Sequence, residues 1–99
     1  MLTEIDKVLK YLGLKDIGTY EDLFYIYPID SSDEYAAMHT KLDQVTENGE
    51  YPGYAADTAK NITKITTYFE LTLGDITYGL FLVGDFENDE YRLRIKELN

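Results

Sequence analysis

Apolar residues recur at two periods along this chain, and the change of period separates a helical part from a stranded part. Near the N-terminus, Ile5, Val8, Leu9 and Leu12 follow at i, i+3, i+4 and i+7, one stripe of a short helix. Thr3 offers an N-cap with Asp6 three residues on. Gly13 offers the left-handed stop, and Leu14 the apolar residue beyond it. Further along, Ser31 and Glu34 have the spacing of a capping box. Tyr35, Met38, Leu42 and Val45 then recur at steps of three and four, predicting a helix from Ser32 to Glu47 that stops at Asn48-Gly49. Its other side carries Asp33, Thr40, Asp43, Gln44 and Glu47, and Ala36 and Ala37 keep that surface low.

Between these helices lies Leu23-Phe24-Tyr25-Ile26-Tyr27, which ends at Pro28. Its aromatic and β-branched residues favour a strand, whereas a cap at Thr19 with Asp22 favours a short helix. Glu50 to Lys60 reads as a loop, with a turn at Pro52-Gly53 and one helical turn from Tyr54 to Ala59.

The last third is stranded. Two β-rich runs flank Gly74-Asp75, a two-residue hairpin signal. A two-residue loop pairs Leu73 with Ile76. One face then receives Ile65, Thr67, Phe69, Leu71 and Leu73 opposite Gly84, Leu82, Leu80, Tyr78 and Ile76. A slip of one residue would break that apolar face. After Asp85 to Glu90, a third strand puts Tyr91, Leu93 and Ile95 on the same face and Arg92, Arg94 and Lys96 on the other. The register sets Phe81 between Tyr68 and Arg94 and brings Glu70 near Lys96 by way of Gly79, which implies a cation–π contact and an ion pair. The expectation is a single α+β domain over residues 1–99: an antiparallel meander of three to four strands with two main helices packed on one face.

Composition narrows the chemistry. The 99 residues include no cysteine, so disulfides and thiolate metal sites are excluded. The N-terminus has Glu4 and Asp6 where a signal peptide has cations, and no apolar run reaches the ~20 residues of a membrane span. A cytoplasmic protein is expected, which makes the sequon Asn61-Ile62-Thr63 accidental. The one imidazole, His39, lies at the edge of the second helix's apolar stripe, as a boundary residue that is hydrogen-bonded or half solvated; a general base would need a positioned nucleophile and an orienting partner. Asp85 to Glu90 alternates acids as a calcium loop does. It has Glu90 where such a loop turns on Gly, and Lys96 where it needs a bidentate Glu, so it reads as a solvated hairpin loop. Gly74, Gly79 and Gly84 lack the spacing of a phosphate loop. A non-catalytic protein without metal or cofactor is expected.

Charge sets the partner. Residues 16–59 hold ten carboxylates against Lys41 alone, and six of the ten tyrosines. That excess attracts a basic surface and repels nucleic acid and anionic membrane. Tyrosine adds rigid amphipathic contact area. The candidate partner-binding residues are Asp30, Asp33, Glu34, Asp43, Glu47, Glu50, Tyr51, Tyr54 and Asp57, with carboxylates where phosphates would lie and rings where bases would stack.

On size, charge and the residues Asp30, Asp33, Glu34, Asp43, Glu47 and Glu50, the chain resembles the small acidic inhibitors of phages and mobile elements, the anti-CRISPR and antirestriction proteins of the DNA-mimic type. No motif is shared, so no residue role is carried over. The resemblance implies an inhibitor that occupies the nucleic-acid groove of a basic protein such as a defence nuclease. The alternative is an acidic interaction or regulatory module, including an immunity protein against a basic toxin.

Overall fold

The computed structural model describes residues 2–46, 51–54 and 64–98. Helix α1 spans Leu2–Leu12, so Thr3 lies inside its first turn rather than capping it. Its end follows the sequence. Gly13 has φ +73°, the Gly13 N–H donates to the Lys10 carbonyl at 3.1 Å, and the Leu14 N–H donates to the Leu9 carbonyl at 2.8 Å. This paired closure uses two of the carbonyls a helix otherwise leaves bare. Val8, Leu9 and Leu12 are buried in the core.

The ambiguous second segment is a hairpin. Strands β1 (Thr19–Glu21) and β2 (Phe24–Ile29) pair antiparallel around Asp22-Leu23. Asp22 takes φ +55°, a left-handed conformation that aspartate tolerates better than most residues. The strand runs through Pro28. It can do so because β1 flanks β2 only as far as Ile26, leaving Pro28 at an open edge.

Helix α2 spans Ser32–Val45, two residues short of the expected Glu47. Thr46 closes it, accepting no left-handed turn: its hydroxyl and its N–H both donate to the Leu42 carbonyl, at 2.6 and 3.0 Å. The expected stop at Asn48-Gly49 and the helical turn after Tyr54 lie outside the described residues. Tyr51–Tyr54, expected in a loop, forms strand β3 against β4.

The meander consists of β4 (Lys64–Leu73), β5 (Ile76–Asp85) and β6 (Glu90–Glu97). Its hairpin register is the expected one, with Leu73 opposite Ile76 and Ile65 opposite Gly84, and Gly74 at φ +65° makes the turn. All six strands form one antiparallel sheet in the order β1-β2-β6-β5-β4-β3. The fold is α+β. It has more strands than expected because two short edge strands extend the sheet, β1 on the β2 side and β3 on the meander side. Both helices pack on one face. Between them and the sheet lie Leu12, Leu42, Tyr25, Phe69, Tyr78, Leu80, Leu82, Leu93 and Ile95, each at most 1% exposed. Burying a side chain of this size contributes about 1.5–3 kcal/mol relative to leaving it exposed.

Phe81 stands between Tyr68 and Arg94 as expected, and the Tyr68 and Phe81 rings are 4.8 Å apart. The cation–π contact goes elsewhere: the Arg94 guanidinium lies 4.0 Å from the centre of the Phe24 ring, with Lys96 Nζ at 5.5 Å. Glu70 accepts the Tyr68 hydroxyl at 2.8 Å, and no Glu70–Lys96 ion pair is present among the described residues. The reason is β2. It lies beside β6 and brings Phe24 over the cations, closing the ladder with a ring rather than a carboxylate.

Candidate interaction surface

The start of α2 is set by its own capping residues. The Glu34 N–H donates to Ser31 Oγ at 3.2 Å, and Glu34 Oε1 accepts the Asp30 N–H at 3.1 Å. The reciprocal bond reaches Asp30, one residue earlier than in the usual box. Asp30, Asp33 and Glu34 are thereby held exposed at the positive end of the helix, where its dipole favours anions. None has an ion pair among the described residues. Asp43 lies about 15 Å further along the axis at the rise of an α-helix. Its Oδ2 is 3.5 Å from His39 Nδ1. His39 is half-buried and meets Phe69 edge-on at 5.6 Å, a boundary histidine as expected.

The β5–β6 loop lies far from these residues along the chain. The structure joins them. The rings of Tyr35, Phe86 and Tyr91 meet pairwise at 5.3 to 5.4 Å, fastening the loop to the first turn of α2. Gly84 makes room: a Cβ there would stand 2.9 Å from Tyr35 Cε1. Burial first, and then Asp89, push the pKa of the Tyr91 hydroxyl up. Asp85 is buried and accepts from the Asn88 backbone N–H and Nδ2, at 3.3 and 2.9 Å, so this carboxylate shapes the loop. Glu87, Asp89 and Glu90 remain exposed and add to Asp30, Asp33 and Glu34. Phe86, 43% exposed, is the ring among these acids. No local signal announces this cluster, because Tyr35 lies far along the chain from Phe86 and Tyr91.

Tyr25 and Tyr78 are core, and Tyr27 and Tyr35 are half-buried. Tyr51 and Tyr54 lie on the edge strand, opposite Tyr68 and Thr66, rather than on a loop continuing α2. Tyr20 is 45% exposed, and burial, Asp16 and Asp6 raise its pKa in that order. Asp6, on α1, thus joins Asp16 in a second acidic group around an exposed ring, a grouping absent from the linear reading. Glu47, Glu50 and Asp57 lie outside the described residues.

Among the described residues no group of His, Cys, Asp or Glu is arranged to hold a metal ion, and no helix is long and apolar enough to cross a membrane. The surface presents solvated carboxylates, with an exposed ring beside them. No family model, curated protein or solved structure matches the chain.

Proposed function

We propose that this protein is a non-catalytic inhibitor that binds a basic nucleic-acid-binding protein, such as a CRISPR effector or restriction enzyme, through its acidic face. The observation that supports the reading is the joining of Asp30, Asp33 and Glu34 to the β5–β6 loop acids beside the first turn of α2. Carboxylates spread over one rigid edge can take the cations that otherwise hold phosphates, and complementary fields accelerate encounter. The reading requires no cofactor, no membrane and no nucleic acid bound to the protein itself, and it places the protein in the cytoplasm with its target.

Competition tests it. If the acidic face stands in for phosphates, partner and nucleic acid exclude one another. The apparent dissociation constant then rises in proportion to nucleic-acid concentration. A stable ternary complex in size exclusion with light scattering would refute mimicry. Exposed Phe86 among the acids favours a second reading, an interaction module or immunity protein that docks by aromatic burial. A ternary complex that is lost in Phe86→Ala would point to it.

A further inference from the structure

A cavity of about 350 Å³ opens between the α1–β1 connection, β2 and α2. Its apolar lining is Leu14, Ile17, Tyr27, Ile29 and Met38. Ile17 is 56% exposed, so the rim itself presents uncovered hydrocarbon. Ala37 forms a low wall on the helix side, and Asp30 and Glu34 stand at one end. Lys41 stands at the other, its Nζ 3.6 Å from where a Cβ on Gly13 would be, beside the negative end of α1.

The connection that walls this cavity is tied at both ends. The Leu14 N–H is held by the Leu9 carbonyl, and the Gly18 N–H by the Tyr25 hydroxyl at 2.8 Å. The cavity is therefore formed before anything enters it, which removes an ordering cost from binding. Apolar walls with charged groups at the mouth are the features of an anchor site, where one buried side chain carries most of the affinity.

We propose that this cavity receives one leucine- or methionine-sized side chain from a partner segment that carries a Lys or Arg on the side meeting Asp30 and Glu34. The acids at the Asp30 end favour a flanking cation there, and Lys41 disfavours one at the opposite end, which fixes the segment's direction. The proposal rests on the protein-binding reading above but not on nucleic-acid mimicry.

The test uses defined peptides and the full chain, with no nuclease present, so its outcome is separate from that of the competition experiment. N-acetyl-Arg-Leu-Ser-amide is titrated into ¹⁵N-labelled protein beside its Arg-Ala-Ser and Glu-Leu-Ser counterparts. The leucine peptide is expected to shift the amides of Ile17, Ile29 and Met38, and the alanine peptide to bind about ten-fold more weakly. Ala37→Trp, which fills the mouth from an exposed helix position, and Ile17→Glu, at the exposed rim, are each expected to abolish the shifts while leaving the rest of the spectrum folded. Equal binding of the leucine and alanine peptides, or no shifts at these amides, would overturn the proposal. Unchanged binding in both variants would overturn it as well.

Discussion

The Tyr25 hydroxyl donates to Asp16 Oδ1 at 2.7 Å while accepting the Gly18 N–H at 2.8 Å, so one phenol on β2 fixes the connection that leads into β1. Tyr25 is 1% exposed. Tyr25→Phe keeps the ring and deletes both bonds, leaving the Gly18 N–H without its partner. It is expected to cost about 1–3 kcal/mol in urea melts.

The same phenol gives a pH signature. Burial, then the bond to Asp16, push its pKa from 10.0 up to about 12, with the Gly18 bond acting the other way. Because the folded value is the higher one, the fold favours the protonated phenol. Its contribution is complete below pH 10 and is lost as pH rises through about 12. The stability difference between wild type and Tyr25→Phe should therefore shrink across that window in alkaline melts. A constant difference would contradict the assignment.

Leu80 and Thr72 lie on opposite faces of the hairpin. Leu80 is fully buried, whereas Thr72 is exposed and its Oγ1 is 3.0 Å from that of Thr77. Leu80→Ala should cost ~2–5 kcal/mol as a core truncation. Thr72→Ala should cost under ~1 kcal/mol. Equal losses would contradict the register.

Two glycines differ in what an added methyl group meets. At Gly84 the obstacle is the Tyr35 ring, which can shift and loosen the β5–β6 loop; Gly84→Ala should cost about 1–3 kcal/mol and move the Phe86 and Asn88 amide resonances. At Gly18 the obstacle is the Ile26 carbonyl oxygen, a backbone atom held in the β1–β2 ladder. Gly18→Ala should be the more damaging of the two by thermal melt.

Asp33 and Asp43 are exposed near the two ends of α2. Reversing both to Lys should slow association with a basic partner and flatten its dependence on ionic strength, while the dissociation rate changes little. Stopped-flow measurements at several salt concentrations would check this, with screening strong as the Debye length nears ~8 Å. An association rate indifferent to salt and to both substitutions would exclude an electrostatic interface.

Local signals were readable where one short stretch determined the outcome. The β4–β5 register follows from a two-residue turn and an alternation that tolerates no slip. The end of α1 follows from Gly13, and the start of α2 from Ser31 and Glu34. Pairings between distant segments were not readable. Nothing local to Arg94 announces that Phe24 will lie against it, because that contact depends on which strand takes the free side of β6. Tyr51–Tyr54 is a strand only because β4 offers it an edge. The acidic surface shows the same division. Asp30, Asp33 and Glu34 were legible as a helix start, whereas Glu87, Asp89 and Glu90 join them through rings at 35, 86 and 91 that meet only in the folded chain.

The strand order has a kinetic consequence. The last strand, β6, lies inside the sheet, bounded by its sequence neighbour β5 and by β2 from near the start of the chain. The β4–β5–β6 meander closes only short loops, whereas the β2–β6 seam brings together Tyr25 and Ile95 from opposite ends of the chain. Loop-closure entropy must be met before such distant contacts repay it. The meander should therefore assemble first and the β1–β2 hairpin dock last. Substitutions along the seam would then speed unfolding and leave the refolding rate nearly unchanged.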